Sequence, residues 1–383
     1  MKRVYKLFLT IILASCIIFL AYNMIKPKVH IDEAIWVQSF ASLDGGTVWQ
    51  LCADSSDTVY AAGNFRELIN FNPGFGLAIR RSSSDFDPYL ICLDNSGAFN
   101  WVMSIPGRNI PRRQDSSRVA ICGDSIAWAH GSTIDYIDYS GEVLARVEVA
   151  CLMIRAFDLD TEGNAYVLCR PEFLKKYDLN GNELWSVQSS GYYAIDISSQ
   201  GNVYIGGQDL TQYNDKGEMI WSVSINGNVA ALAIGEDGEI YCCGFQDCNS
   251  DAEKSPTEDN GVWFVEKYSE NGLSLWRREF TRENLDNNVF DIEIDREENV
   301  YLTGEYSREM DFDPGDSEYI LRPESGIRAF ILKLNGDGEF REVWSADISS
   351  ASNSIYITEN DVLYAAGNAK LSPFIARINL SIE

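Results

Sequence analysis

The sequence predicts an all-β fold, a seven-bladed β-propeller of four-stranded antiparallel blades, and three observations carry that prediction. First, one hairpin is written many times: YDLNGNELWS at 177–186 returns as YNDKGEMIWS, KYSENGLSLWR and KLNGDGEFREVWS, after an early copy CLDNSGAFNW and a worn one, IDYSGEVLA. Asn-Gly, Lys-Gly and Asp-Gly between alternating apolar runs mark hairpin turns, because glycine reaches positive φ without steric cost. Second, a strand pattern recurs: DSSDTVYAAG (54–63), DTEGNAYVLC (160–169), SSQGNVYIGG (198–207), EDGEIYCCG (236–244), DREENVYLTG (295–304) and ENDVLYAAG (359–367), with GDSIAWAHG (123–131) filling the gap. Its aromatic residue marks seven units, at Tyr60, Trp128, Tyr166, Tyr204, Tyr241, Tyr301 and Tyr364. Third, the markers lie 38, 38 and 37 residues apart in the middle and 60 to 68 elsewhere. A unit of about 40 residues with insertions in three places is the size of a propeller blade.

Each unit reads as apolar strand, polar turn, strand ending in Gly, strand, Gly turn, Trp strand. Radial repetition of such units removes the long edges that a flat sheet would expose. The ends support closure. Residues 35–40, IWVQSF, look like a Trp strand with no blade before them, and the last unit stops at RINLSIE with no Trp strand after it. The N-terminal strand is therefore expected to pair with Ile375–Ile378 and complete the last blade. Trp101, Trp185, Trp221, Trp276 and Trp344 follow the hairpin turns and are expected to wedge between neighbouring blades. The excess length falls between the second and third strands of three blades, at Asn64–Pro88, Gln246–Gly261 and Glu305–Arg328, so all three insertions should emerge on one face.

The VYxxG strands, the NG-x-x-W hairpins and the long insertion at 304–338, of which 63–97 is a second copy, resemble bacterial seven-bladed β-propeller repeat proteins of the SBBP type. A looser likeness is to quinoprotein-type propeller repeats. The resemblance covers nearly everything after residue 32 and implies a fold more than an activity, since propellers host many unrelated functions. The second unit lacks its Trp, and the third lacks the Gly after its Tyr strand. Composition agrees: 12% of the residues are aromatic and 29 are Gly, as expected when many short strands and turns share a core.

Two regions follow. Residues 1–31 form a membrane anchor or signal segment with a linker, and 32–383 the propeller. Residues 7–25 are an almost purely apolar run of 19, long enough to cross a hydrocarbon layer of about 30 Å as a helix. Lys2, Arg3 and Lys6 precede it and favour a cytoplasmic N-terminus, which places the propeller outside. An uncleaved transmembrane anchor is the first reading. Leu13-Ala14-Ser15-Cys16 also fits a lipobox with Cys16 as the lipidated residue, although Ile17 to Leu20 continue the apolar run where mature lipoproteins turn polar. A cleaved signal peptide is the third.

The balance of 57 acidic against 31 basic residues gives a net charge of −26, a surface that repels phosphate backbones and argues against nucleic acid. Of nine cysteines, Cys52, Cys92, Cys122, Cys151, Cys169, Cys242 and Cys243 are expected inside strands as small apolar residues. Only Cys248 is expected to be exposed. The two histidines, His30 in the linker and His130 in a blade strand, have no evident catalytic company. Neither a nucleophile elbow nor a phosphate-cradling loop is present. In MDFDPGDSE, Asp311, Asp313, Asp316 and Glu318 form an oxygen-rich loop with the hard-ligand chemistry that calcium wants. The sister loop carries Asn70, Phe71, Asn72, Pro73 and Gly74 instead, which favours a structural turn, because Asn and Asp are interchangeable as turn formers but not as charge donors. No other cofactor is indicated.

The expected function is a membrane-tethered, extracytoplasmic, non-catalytic binding scaffold of a bacterial cell envelope, with an envelope protein or a surface glycan as partner. The alternative is a propeller enzyme of quinoprotein-like or glycan-cleaving type. That alternative requires a deep central pocket with convergent carboxylates or a cofactor.

Overall fold

The computed structural model describes residues 34–74, 76–83, 85–106, 117–246, 261–282, 287–346, 350–378 and 380. Seven four-stranded antiparallel sheets are arranged radially. Their first strands, Gly46–Ala53, Ser117–Cys122, Met153–Leu159, Tyr192–Ile197, Asn228–Ile234, Asn288–Ile294 and Ser350–Ile357, touch one another in succession around the full circle. We number the blades I to VII in that order. Closure is as the sequence predicts. Ala34–Ser39 pairs with Ser372–Ile378 as the outermost strand of blade VII, with Trp36 opposite Arg377, Val37 opposite Ala376 and Gln38 opposite Ile375. A propeller closed in this way ties the two ends of the chain into one sheet.

The seven marker aromatics are all buried, at no more than 1% exposure, because each sits on the second strand of its blade, sandwiched between neighbouring sheets. In five blades the marker meets a Trp on the outer strand. Ring centroids are 6.0 Å apart for Trp36 and Tyr364, 6.1 Å for Tyr60 and Trp101, 5.7 Å for Tyr166 and Trp185, 6.1 Å for Tyr204 and Trp221, and 6.2 Å for Tyr241 and Trp276. Each of these indoles donates its Nε1–H to a carbonyl in the hairpin turn of the next blade, such as Trp36 to Asn95 and Trp185 to Asp215. The turn glycine of that blade lies on the indole face. A Cβ on Gly217 would stand 2.8 Å from Trp185, and one on Gly272 2.9 Å from Trp221, so these glycines serve both the positive φ and the contact. Blade II has Ala145 at the Trp position, and Gly181 of blade III meets only Val147.

Trp344 departs from the expected pattern. The hairpin of blade VI carries two more residues between its turn and its Trp, so Glu342 faces Lys333 where the other blades place Trp. Trp344 stands opposite Ile331 at 3% exposure, in a cluster with Tyr301, Ile355 and Phe374. Trp36 is the fifth member of the ladder in its stead. The turns differ in type from a two-residue hairpin: Asp94 Oδ1 accepts from Ser96 and Ala98 N–H, only Gly97 has positive φ, and the register slips by one residue beyond it. This is the longer loop with a glycine bulge.

The glycine ending the second strand also has a steric cause. In six blades the first strand carries a bulge, for instance at Trp49 between Val48 and Gln50. The first strand then crosses the end of the second so closely that a Cβ on Gly63 would lie 2.0 Å from Thr47 O, and one on Gly304 1.9 Å from Asn288 O. Blade III alone among these six has another residue there, Cys169 opposite Ile154.

Two insertions fold as sister hairpins, Leu68–Asn70 with Ile79–Arg81 and Met310–Asp311 with Ile320–Leu321. Each drives one Phe into the top of its blade. Phe71 lies 4.5 Å from the Tyr89 ring and Phe312 5.0 Å from Phe330, both fully buried. In a meander the connections between second and third strands share one end of the sheet with the links between blades, and we name that end the loop face. The third insertion, 247–260, lies outside the described residues, as do Cys248, Cys16, His30 and the apolar run at 7–25. No helix among the described residues is long and apolar enough to cross a membrane. Cys151 stands in the link between blades II and III rather than in a strand.

Candidate functional site: the central channel and its rim

The inner edge of each first strand faces the axis, where its N–H groups have no further strand to pair with. Side chains of neighbouring blades supply acceptors instead. One tier stands ten residues before each marker aromatic: Gln50 Oε1 accepts from Val119 N–H, Asp291 Oδ2 from Ile355 N–H at 3.0 Å, and Ser354 Oγ from Leu51 N–H. The next tier stands eight residues before the marker. Asp158 Oδ2 accepts from Ile197 N–H at 3.1 Å and Asp196 Oδ2 from Ile234 N–H at 3.0 Å. Glu293, on the same tier, accepts from Ile294 N–H of its own strand. These strands enclose a cavity of about 380 Å³ lined by all four carboxylates, with Cys52, Ala120, Ala233 and Tyr356 completing the second tier.

Toward the loop face the bulged residues form a rim. Trp49, Tyr193, Phe290 and Asn353 line the cavity mouth, and the Arg155 guanidinium lies 4.8 Å from the Tyr193 ring centre. Tyr193 is half exposed. Asn353 Nδ2 donates to Val48 O and Arg118 to Trp49 O, so the rim too is stitched from blade to blade.

Burial pushes the Asp158 carboxyl up to about 6 against hydrogen bonds from Leu159, Asp196 and Ile197. Burial does the same to Asp291, again to about 6, with backbone donors and the Arg118 charge opposing it. Asp196 and Glu293 are raised as well, by burial first and by the neighbouring carboxylates second. The channel acids are therefore easier to protonate than ordinary carboxyls and offer hydrogen-bonding groups to a polar ligand, with aromatic surface at the entrance. Sequence reasoning missed these four acids. A signal existed, since Asp158, Asp196 and Glu293 each precede their marker by eight residues, but acidic residues are too frequent in this chain for three to stand out.

The residues proposed for calcium are divided. Asp311 Oδ1 accepts from Asp313 and Tyr319 N–H, and Asp313 Oδ1 from Gly315 N–H. Asn70 and Asn72 do the same in the sister hairpin, with Asn72, Ala78 and Gly74 as donors. Asp313 and Asp316 border an open groove shared with Arg277 and Arg278. Among the described residues no group of three or more His, Cys, Asp or Glu is arranged to hold a metal ion.

His130 does have company. Its Nε2 lies 3.0 Å from Asp135 Oδ2, and Arg146 clamps the same carboxylate at 2.6 and 2.8 Å. Burial raises the Asp135 carboxyl, but the His130 and Arg146 bonds outweigh it and bring it to about 2. Ser117 lies opposite His130 in the sheet, yet its Oγ accepts from Trp128 Nε1–H. Ser117, His130 and Asp135 are all fully buried. No substrate reaches them, and the group is a structural lock inside blade II.

Neither a family model nor a curated protein matches the chain. Solved structures do. The WD40 β-propeller domain of Doa1 superposes with a TM-score of 0.55 at 11% identity, over 91% of this chain and 98% of that one. The Neurospora crassa Pan2 WD40 domain gives 0.55 at 8%, over 88% and 91%. A protein of unknown function from Bacteroides caccae reaches 0.37 at 16%, over 62% and 94%. The likeness to the two WD40 domains is one of fold: the chain is a seven-bladed β-propeller, an architecture that hosts many unrelated functions.

Proposed function

We propose that the chain is a membrane-tethered, extracytoplasmic binding scaffold of SBBP type, and that its loop face captures a protein of the bacterial cell envelope. One observation carries the reading: the aromatic rim of the channel opens on the face that also bears two of the insertions, hairpins pinned by Phe71 and Phe312. Binding residues concentrate on loops held by a rigid scaffold. The hairpin tips present Leu77 at 69% and Tyr319 at 44% exposure, and the rim presents Tyr193. The apolar run at 7–25 and the basic residues before it support tethering. Because Phe71 and Phe312 are core residues, excising the hairpins would unfold the blade tops, so the test is by point substitution. Leu77→Asp, Tyr319→Ala and Tyr193→Ala should keep the melting temperature and lose the partner crosslinked from envelope extract. Unchanged capture by all three would remove the loop face from consideration, and saturable binding to a glycan array would make the ligand a glycan.

The channel carboxylates favour a second reading, a glycan-cleaving enzyme, since the cavity has the convergent acids which that chemistry uses. Against it, Asp158, Asp196 and Asp291 already hold the blades together. Turnover of a polysaccharide that is abolished by Glu293→Gln would establish it.

A further inference from the structure

The third blade breaks the repeat at one point, and the break has a partner. Where Gly63, Gly207, Gly244, Gly304 and Gly367 leave no room for a side chain, blade III has Cys169. The incoming link is rerouted there: Leu152 N–H donates to Arg170 O at 2.7 Å and Ile154 N–H to Gly131 O. Cys151, in that link, packs on the same cluster as Cys169, Val167 and Ile154, its thiol hydrogen-bonded to the Cys169 thiol. Cys169 is 3% exposed, whereas Cys151 is partly open, next to Leu152 at 82% exposure.

We infer that Cys151 and Cys169 are a redox-active pair that forms a disulfide linking the entry of blade III to its second strand. Cys151 is the attacking thiol. It is the reachable one, and the bond from Cys169, the Met153 N–H and the Lys175 ammonium hold it below its ordinary value against burial, while Cys169 is raised. A small-molecule disulfide such as oxidised glutathione supplies the oxidising equivalents. Cys151 sulfur attacks one glutathione sulfur, the S–S bond breaks, and one glutathione thiolate leaves. Cys169 then loses its proton and attacks the Cys151 sulfur of the mixed disulfide, expelling the second glutathione thiolate. Two protein thiols become one disulfide and two glutathione molecules are reduced. Cys242 and Cys243 lack such a route: they are adjacent in one strand and point to opposite faces, both with no exposure.

The test uses the full chain in detergent, equilibrated across ratios of reduced to oxidised glutathione, alkylated, digested with trypsin and read by mass spectrometry. The expected result is a linked pair of fragments 147–155 and 156–175, formed while Cys52, Cys92, Cys242 and Cys243 are still alkylated after unfolding. Oxidation should raise the melting temperature, and dithiothreitol should reverse both changes. Cys169→Ser should instead trap one glutathione on Cys151, and Cys151→Ser should take up none in blade III. Should Cys169→Ser fail to fold, the wild-type digest decides alone. A wild-type protein that keeps glutathione on Cys151, or that links these fragments no sooner than any other cysteine pair, overturns the inference.

Discussion

At the scale of single residues, the same position is often written in two ways, and the pairs reveal what each side chain is for. Asp311 and Asp313 perform in blade VI the turn bonds that Asn70 and Asn72 perform in blade I, through one side-chain oxygen each. A neutral amide therefore suffices. Asp311→Asn with Asp313→Asn should change stability by no more than about 0.5 kcal/mol, as for surface changes that break no bond. Thermal melts with and without millimolar calcium check it: a calcium-dependent rise in the parent that vanishes in the double variant would assign these carboxylates to a cation. The residue scale is also where the sequence was least legible. The VYxxG glycines could be read as a motif, but their cause, a carbonyl 2 Å from where a Cβ would stand, depends on a bulge in another strand. Asp158, Asp196 and Glu293 were hidden for the opposite reason. Nothing local distinguishes a carboxylate on an inner edge from one in a turn, and the turns are crowded with them.

Elements were far more legible, because each blade is built by near neighbours in sequence and every pattern is seen up to seven times. The closing strand, the order of strands and the kinship of the two insertions were all readable from periodicity. The two extra residues between Gly338 and Trp344 are visible in the sequence, but only the strand register shows that they take Trp344 off the ladder, and periodicity could not show that a long insertion hides a core residue in its middle. The ladder and the plug have different energetic signatures. Trp185 is half buried and joins two blades through its ring contacts and the 2.8 Å bond to Asp215 O, whereas Phe312 is fully buried against the Tyr306 and Phe330 rings. Phe312→Ala should cost about 3 to 5 kcal/mol, the range for a buried aromatic, and Trp185→Ala about 2 to 3. Denaturant melts measure both. Iodide should quench the ladder indoles only partly and leave Trp263 and Trp344 untouched. A Phe312→Ala protein that melts with the parent would mean that the hairpin is an ornament and not a plug.

The whole molecule is a ring, and its stability belongs to the ring. Removing residues 34–39 strips blade VII of its outer strand, exposes the edge of Ser372–Ile378 and frees the chain ends, so the truncated protein should melt well below the parent. Equal melting temperatures would refute closure. The ring also concentrates carboxylates on its axis, and this sets how stability should vary with pH. Asp158 and Asp291 have folded-state values near 6 against about 3.9 in an unfolded chain, and Asp196 and Glu293 are raised as well. Between pH 4 and 6 the folded state binds more protons than the unfolded one. Stability from Asp158 and Asp291 is therefore full below about pH 4 and falls as pH rises through about 6, and the raised Asp196 and Glu293 carboxyls act in the same direction. Asp135 works the other way. Its value of about 2 gives stability above pH 4 that disappears as pH falls toward 2, and the lowered carboxyls of Asp54, Asp94, Asp138, Asp160 and Asp178 add in the same direction. The two trends cross, and the maximum should lie on the acid side of neutral, near pH 4. Both side chains are only partly buried, which lessens the burial penalty, so Asp158 and Asp291 contribute on the order of 1 to 2 kcal/mol each rather than the full shift. Asp158→Asn with Asp291→Asn keeps an acceptor for Ile197 and Ile355 N–H and removes the titration. The parent should lose melting temperature between pH 5 and 7.5, and the double variant should lose less and exceed the parent at pH 7.5. Parallel profiles for the two proteins would show that the inner carboxylates are already relieved, by a cation or by deeper hydration of the channel.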